Sequence, residues 1–421
     1  MGYDRSMAAR STGARLIGVV LVAACQRSTE HAPIPPEADA VVDEGPAIPL
    51  PPRHEAGRPA SAGDVVVRAI AAGGYRTCAL TSEGGVRCWG ADGAAGDARS
   101  PHHRVATDVD GLASGVESVS CGLGHSCVVT ASHAAECWGD ATYGALGDGS
   151  RTERLVPAEV SGLGAGVTFV NAGSSHTCAV TSGGAVQCWG AMYTSGSPVP
   201  EVAAGLSSGI VAVATGQGHA CVLTTSGSVK CWGSGPKGQL GDGAPIRDDD
   251  DEHSPVHGSA VALDVHGLSS NVVAISAGAD HTCALTAKGG VLCWGQGTLG
   301  QLGNGARHAS SIPVAVQGLS AGVRSISAGG AHTCAVSTVG AVKCWGANAD
   351  GELGDGTKND RSVPVRVVGL SSGVNAVAVG ENHACALTAR GTVKCWGNNF
   401  LGQLGDGTAE ARPTPVDVLG L

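Results

Sequence analysis

The sequence is poor in the bulky side chains that fill most globular cores, since its 421 residues include only seven Trp, four Tyr and two Phe. Charged residues are also scarce, at 15%. Glycine, in contrast, occurs 67 times, and glycine is unfavourable inside helices. This composition disfavours a helical bundle. Because 43% of the residues are hydrophobic, disorder is disfavoured as well. Many short strands joined by glycine turns fit best.

An excess of positive charge is absent too. The formal net charge is −10, so the chain lacks the basic field that attracts nucleic acid. We therefore expect no nucleic-acid partner.

Long hydrophobic runs are missing, apart from one near the N-terminus. The apolar residues 16–24 follow Arg10 and Arg15 and end at Cys25. They are too few to span a bilayer, which takes about 20 residues, but they suit the core of a secretory signal. The run LVAAC at residues 21–25 resembles the bacterial lipoprotein signal. This resemblance implies cleavage before Cys25 and a lipid on its sulfur, and Gln26 favours the outer membrane. An ordinary signal peptide with an incidental cysteine is the alternative.

The next segment differs in composition. Eight of the 19 prolines lie in residues 26–63, which contain no aromatic residue. Such a segment cannot bury a core and is expected to be extended. We therefore divide the chain into a signal peptide (1–24), a lipidated cysteine with a proline-rich linker (25–63) and a folded body (64–421). The lipid on Cys25 is the expected membrane contact.

One pattern recurs seven times in the folded body. Its Cys-Trp-Gly triplets begin at residues 88, 137, 188, 231, 293, 344 and 395, and they contain all seven tryptophans. Each unit holds about four short strands, in the last unit near residues 375–379, 383–388, 392–396 and 414–418. Four strands cannot cover both of their faces, so neighbouring units must do so. We expect an all-β fold, a seven-bladed β-propeller of four-stranded antiparallel blades, with an open solenoid as the alternative.

The repeat also resembles a known family. Its clearest copy reads HTCAV at residues 332–336, AVKCWG at 341–346 and GELGDGT at 351–357. This pattern is similar to the regulator of chromosome condensation repeat. The resemblance implies a seven-bladed propeller. The family includes a guanine-nucleotide exchange factor for a nuclear GTPase, an ultraviolet sensor and a secreted bacterial inhibitor of β-lactamases, so the fold does not fix the activity.

Fourteen of the 16 cysteines form seven couples with ten-residue separation. An even separation centred on a turn places both cysteines directly opposite each other in a hairpin, within reach of a disulfide. Disulfides would indicate an oxidising compartment. The couples are Cys78 and Cys88, Cys127 and Cys137, Cys178 and Cys188, Cys221 and Cys231, Cys283 and Cys293, Cys334 and Cys344, and Cys385 and Cys395.

Two other states of these thiols remain open. Reduced buried thiols are one, and zinc binding by sets such as His332, Cys334 and Cys344 is the other. Arg76 argues against zinc, because it replaces the histidine of the first unit although Cys78 and Cys88 are kept. We expect no metal and no cofactor. Cys121 is expected to be a packed free thiol. The six repeat histidines are expected to be buried and bonded to backbone: His125, His176, His219, His281, His332 and His383.

Motifs that suggest catalysis are part of the repeat. Gly-x-Ser-x-Gly occurs at residues 205–209, 318–322 and 369–373, in the same phase each time. A hydrolase needs one such nucleophile on a strained strand-to-helix turn. The sequence therefore predicts no catalytic residue and no enzyme.

Binding is expected where the repeat is irregular. The unit after Trp189 lacks the Gly-Gln-Leu-Gly-Asp-Gly segment, which makes residues 191–200 divergent, and a later loop is enlarged around residues 245–261. The enlarged loop carries Asp248, Asp249, Asp250, Asp251 and Glu252, which form a solvated acidic loop or, alternatively, a calcium site. The candidate apolar contacts are Tyr143, Met192, Tyr193 and Phe400.

These observations predict a lipid-anchored, extracytoplasmic, monomeric propeller. It would act as a non-catalytic binding module for a protein or polymer of the bacterial cell envelope. A secreted-type enzyme inhibitor is the alternative. A nucleotide-exchange factor conflicts with the signal and with the paired cysteines.

Overall fold

The computed structural model describes residues 65–91, 96, 102–192, 195–247 and 257–421. All regular secondary structure in these residues is β, in 28 strands that form seven four-stranded antiparallel sheets. The predicted all-β, seven-bladed propeller is confirmed. Its blades are numbered 1 to 7 from the N-terminus.

The strands follow one another regularly along the chain. Blades 1 to 4 consist of β1 (Val67–Ala72), β2 (Arg76–Thr81), β3 (Val86–Gly90), β4 (His103–Asp108), β5 (Val116–Cys121), β6 (His125–Thr130), β7 (Ala135–Gly139), β8 (Arg154–Glu159), β9 (Val167–Ala172), β10 (His176–Thr181), β11 (Val186–Met192), β12 (Ser195–Val202), β13 (Ile210–Thr215), β14 (His219–Thr224), β15 (Val229–Ser234) and β16 (Gly258–Asp264). Blades 5 to 7 consist of β17 (Val272–Ala277), β18 (His281–Thr286), β19 (Val291–Gly295), β20 (Ser310–Ala315), β21 (Val323–Ala328), β22 (His332–Ser337), β23 (Val342–Gly346), β24 (Arg361–Arg366), β25 (Val374–Val379), β26 (His383–Thr388), β27 (Val393–Gly397) and β28 (Arg412–Asp417).

The first strand of every blade lines a central channel, and the strands then run outward in chain order. The channel holds a cavity of about 240 Å³. Glycine at the end of each first strand lets the blades approach one another. A Cβ on Gly329 would lie 1.9 Å from the carbonyl oxygen of Gly380, and a Cβ on Gly380 would lie 2.3 Å from that of Gly73. Side chains at these positions would push the blades apart.

The hydrophobic core lies between blades. Trp396 of blade 7, for example, packs in one cluster with Leu353 and Val367 of blade 6. The second strand of each blade is almost completely buried because neighbouring blades cover both of its faces. This arrangement explains how a chain with so few large side chains fills its interior, since small residues suffice between closely spaced sheets.

The seven predicted cysteine couples form disulfides between the second and third strand of each blade. The two Cα atoms lie 4.0–4.1 Å apart in every couple. Each bond joins directly opposed residues, such as Cys334 and Cys344. Cys121 is a buried free thiol, as expected. Its burial raises the pKa to about 11.

Within the part of the chain that the structure describes, the ring closes without exchange of a strand. Blade 1 consists only of β1–β4 and blade 7 only of β25–β28. The Trp89 indole N–H donates to the Gln403 carbonyl at 2.9 Å, and the Ala106 N–H donates to the Leu419 carbonyl at 2.9 Å. Contacts between blades therefore close the ring.

Candidate functional site

The antiparallel strand order sorts the connections onto two ends of the ring. Turns between first and second strands emerge at the same end as the loops between third and fourth strands. We call this end the loop face. The turns between second and third strands lie at the opposite face, with the connections between blades. The long, variable segments of the repeat thus gather on the loop face.

A short motif holds the long loops of blades 2, 4, 5, 6 and 7 in place. In blade 6, the Glu352 carbonyl accepts a hydrogen bond from Trp396 of blade 7 at 2.8 Å, and Leu353 is completely buried. Burial of a leucine stabilises by about 1.5–3 kcal/mol. Gly354 follows with φ of +64°, and a Cβ there would lie 2.9 Å from the Trp396 ring. The loop therefore rests on the next blade, and glycine is required at the contact.

Polar contacts fix the second half of the same loop. Asp355 accepts hydrogen bonds from the Thr357 N–H at 2.9 Å and from Arg361 at 3.1 Å. Although burial raises the pKa of Asp355, its bonds to Thr357 and Arg361 lower it below the usual range. Blade 7 repeats the arrangement with Asp406, and that pKa is also lowered, since hydrogen bonds outweigh burial. The loops are thus rigid supports for the side chains they expose.

Large apolar side chains are exposed mainly on one part of the loop face, although Leu299 on the long loop of blade 5 is also 38% exposed. Phe400 is 80% exposed and Tyr143 50%, both on long loops, while Tyr75 (40%) and Leu123 (39%) lie on the turns of blades 1 and 2. These four residues belong to blades 7, 1 and 2, which adjoin in the ring. We call them the apolar sector. Exposed aromatic residues on a rigid surface are typical of protein interfaces.

Hydrogen bonds position the most exposed member of this sector. The Phe400 N–H donates to Asn398 Oδ1 at 3.0 Å, and Asn398 Nδ2 donates to Asp350 Oδ2 at 2.7 Å. The base of Phe400 is therefore tied to the loop of blade 6, so its ring is presented from a fixed backbone.

Two carboxylates lie on the turns of blades 5 and 7. Burial raises the pKa of Glu381, and the negative charge of Asp280 raises it further. Burial also raises the pKa of Asp280, partly offset by Lys237. Gln239 Nε2 donates to Asp280 Oδ1 at 3.3 Å. The loop face thus carries partly buried acidic groups as well as the apolar sector.

The structure places the predicted contact residues unevenly. Tyr143 and Phe400 lie exposed on the loop face, but Met192 ends β11 and is half-buried against the core cluster that includes Trp232. Three predicted sets lie outside the described residues: Cys25, Tyr193, and the acidic run Asp248, Asp249, Asp250, Asp251 and Glu252.

Parts of both irregular segments are strands. Most of residues 191–200 belongs to the β11–β12 hairpin, because without the usual loop segment the two strands simply continue pairing. Residues 258–261 likewise belong to β16. Sequence reasoning also missed Tyr75 and Leu123, since it searched only the loops after Trp-Gly. Both residues lie in turns between a first and a second strand, and the antiparallel strand order places those turns on the same face as the loops after Trp-Gly.

The expected bonding of the histidines to backbone is wrong for four of the six, although the His332 ring does have a hydrogen bond to the backbone of His383. All six are buried, but four bond to the threonine hydroxyl of the next blade at 2.7–2.8 Å. His281 Nε2, for example, lies 2.8 Å from Thr333 Oγ1. Where the next blade has Ala220 or Ala384 instead, the Nε2 atoms of His176 and His332 have no partner among the described residues. The histidines therefore join blades to one another.

Among the described residues, no group of His, Cys, Asp and Glu could hold a metal ion. Within the same ranges, no helix is long and apolar enough to cross a membrane.

The fold and its recurring loop motif define the chain as a seven-bladed repeat propeller that gathers its variable side chains on one face. Family comparison agrees with this class. Residues 193–421 match the RCC1-like domain, and residues 67–94, 137–180 and 167–194 match the regulator of chromosome condensation (RCC1) repeat. The chain belongs to the RCC1-like family.

Proteins of similar sequence have different functions. The ultraviolet-B receptor UVR8 of Arabidopsis thaliana is 30% identical over 83% of this chain and 69% of its own length. The human E3 ubiquitin-protein ligase HERC2 is 30% identical over 72% of this chain, which spans only 5% of HERC2.

Solved structures share the fold. Prp20p from Saccharomyces cerevisiae, studied for its binding to Gsp1p and histones, superposes with a TM-score of 0.67 at 21% identity, covering 84% of this chain and 87% of Prp20p. Human WBSCR16 gives 0.64 at 24% identity, covering 76% and 85%.

Proposed function

We propose that this protein is a non-catalytic protein-binding propeller that engages its partner through the loop face and is held at the bacterial cell envelope by a lipid on Cys25. The observation that carries the binding role is the apolar sector, in which Phe400, Tyr143, Tyr75 and Leu123 are exposed on three adjoining blades. Aromatic side chains of this kind supply much of the binding energy of protein interfaces.

The rigidity of the loops favours such a role. Side chains held on fixed loops lose little conformational entropy on binding. The bonds that link Asn398 to Asp350 and Phe400 to Asn398 hold one anchor. Asp140, which accepts from the Thr142 N–H at 2.8 Å, orders the turn before Tyr143. Association can therefore use these anchors without first ordering the backbone.

The proposed location follows from the cysteines and the N-terminal sequence. Seven disulfides persist in an oxidising compartment, and the run before Cys25 resembles a lipoprotein signal. The proline-rich residues 26–63 would space the propeller from the membrane.

Inhibition of an envelope enzyme is a second candidate function. It is favoured by the same exposed aromatic residues, since inhibitors insert rigid anchors into the clefts of their targets. A purified target that loses activity on addition of the propeller would select this function over simple attachment.

Site-specific photo-crosslinking in the producing cell tests the proposal. A crosslinking residue at Phe400 is expected to give discrete protein adducts. The matched control is Val339, which is 72% exposed but lies on the opposite face, in the turn between β22 and β23. Absence of adducts at position 400, or the same adducts from both positions, would contradict binding through the loop face.

A further inference from the structure

The short motif that holds the long loops, such as residues 352–354 of blade 6, makes three contacts. All three are present at five of the junctions between blades. The motif reads x-Leu-Gly, where x is Ala145, Gln239, Gln301, Glu352 or Gln403. The carbonyl of x accepts from the tryptophan N–H of the next blade at 2.8–3.0 Å. The leucine is fully buried. The glycine carbonyl accepts a backbone N–H of its own blade at 2.8–2.9 Å, as between Gln317 and Gly303.

Blade 3 lacks this motif, and the structure shows what its loss leaves behind. β11 ends at Met192 and β12 starts at Ser195, so the described residues of blade 3 supply no long loop to blade 4. Among the described residues, neither the Trp232 indole N–H nor the Ala204 backbone N–H has a hydrogen-bond partner. The indole nitrogen is not among the fully buried unpaired atoms, so it is accessible from the cavity. Trp232 is nevertheless only 6% exposed. These two donors correspond to the two that x and glycine satisfy in the five complete junctions.

A cavity of about 200 Å³ lies at the same place. Ala203 contributes to its size, because the equivalent residue of the other blades is a valine, such as Val160, whose Cγ1 lies near the motif glycine. The lining includes Cys188, Met192, Ala203, Ala204, Leu206 and Trp232. Glu201 and Ser259 also line it, so the cavity has an apolar part beside Trp232 and a polar part. The indole of Trp232 and the backbone of Ala204 both belong to its lining.

We propose that this cavity between blades 3 and 4 is a peptide-binding site for an x-Leu-Gly segment of a partner protein. The leucine side chain fills the cavity. The carbonyl of x accepts from Trp232, and the glycine carbonyl accepts from Ala204. The partner thereby completes the junction in the way that the chain's own loops complete five others. This site is separate from the apolar sector and does not depend on it.

The segments of the chain outside the described residues do not contain the x-Leu-Gly sequence. No Leu-Gly pair occurs in residues 1–64, 92–95, 97–101, 193–194 or 248–256, and Leu50 of the linker is followed by Pro51. The motif glycines have φ between +64° and +73°. Proline is fixed near −65° and cannot adopt that conformation. The occupant is therefore supplied by another molecule.

A peptide titration tests the proposal. The probe is Gly-Gln-Leu-Gly-Asp-Gly-Thr, the sequence of residues 402–408, and the protein is the folded, oxidised chain with ¹⁵N-labelled tryptophans. A saturable shift of the Trp232 indole resonance is expected, with no comparable shift of the other tryptophans. The control peptide has alanine in place of leucine and is expected to bind at least roughly tenfold more weakly, since it loses the buried side chain.

Protein variants separate the contacts. Trp232→Phe keeps the ring but removes the donor, and it is expected to weaken binding by roughly tenfold. Trp345→Phe removes a donor that is already paired and should leave the affinity unchanged. Ala203→Val introduces the residue of the other blades, so folding is retained while the cavity becomes smaller and binding weaker.

Three outcomes would contradict the proposed peptide site. The first is the absence of a saturable Trp232 shift at millimolar peptide, and the second is equal binding of both peptides. The third is a Trp232-dependent dimer in sedimentation, which would make a second copy of the chain the occupant. Phe400→Ala should not alter peptide binding, so failure of this site and failure of the loop-face proposal are distinguishable.

Discussion

Nε2 of His383 lies 2.8 Å from the hydroxyl oxygen of Thr77. The two residues are 306 positions apart, and their contact joins the last blade to the first. Thr77 Oγ1 also donates to the Gln403 carbonyl at 3.0 Å. The same histidine–threonine contact recurs at three other junctions. It is therefore part of the general mechanism by which the blades are held together.

Thr77→Val should weaken ring closure. The substitution keeps the shape but removes the hydroxyl, which leaves His383 Nε2 buried without a partner, at a cost of about 1–3 kcal/mol. Chemical denaturation measures the change in the free energy of unfolding. Thr338→Val, at an exposed turn, is the control and should change it by less than about 0.5 kcal/mol. Equal effects of the two substitutions would mean that the His383 contact does not contribute.

Ala384→Thr should have the opposite effect. His332 Nε2 is buried without a partner, and Ala384 occupies the place where other blades supply a threonine. The new hydroxyl can bond to His332 and to the Glu352 carbonyl, so a gain of about 1 kcal/mol in unfolding free energy is expected. Ala384→Val is the control, because it adds similar volume without the hydroxyl. If the valine variant were as stable as the threonine variant, hydrogen bonding would not be the cause.

Stability should fall as the pH is lowered from 7 towards 4. Burial lowers the pKa of His125, His219 and His332 to about 3, and that of His176, His281 and His383 to about 4. Their unfolded pKa is the ordinary value of about 6.5. The unfolded state therefore binds more protons below pH 6.5, which costs up to about 1.4 kcal/mol per pH unit for each histidine.

Four partly buried carboxyls act in the opposite direction at the acidic end. Burial raises the pKa of Glu136, Asp280, Glu352 and Glu381, so their ionisation in the folded state is penalised and acid relieves that penalty. The carboxyls change the free energy of unfolding mainly near pH 4. Between pH 6.5 and 5 the pH dependence of that free energy is therefore set mainly by the histidines. Urea unfolding across this range measures the slope. His176→Leu should reduce it by about one proton, and an unchanged or rising stability on acidification would contradict neutral buried histidines.

The sequence revealed features that depend on local spacing. Cys385 and Cys395 are hairpin neighbours, so their separation alone was enough to predict their pairing. Phe400 and Tyr143 were found because they follow the Trp-Gly of their blades. The partner of His383 could not be found in this way, because Thr77 belongs to another blade and nothing in its local pattern marks the contact.

The remaining features required the spatial arrangement of blades. The sequence showed that blade 3 lacks a loop segment, but not that the loss leaves Trp232 and Ala204 with unpaired donors. That result depends on which blade each loop touches. Similarly, Tyr75 and Leu123 share a face with Phe400 only because antiparallel strands place the two kinds of connection at the same end.

Mass spectrometry of the protein isolated intact from its producing cell tests most directly the claim that it acts as an oxidised, lipid-anchored propeller outside the cytoplasm. We expect an N-terminus at lipid-modified Cys25 and seven disulfides of the Cys78–Cys88 type. Cys121 should be a free thiol that reacts with alkylating reagents only after unfolding, because burial raises its pKa to about 11. An N-terminus at Met1 together with free thiols in the seven couples would contradict the claim.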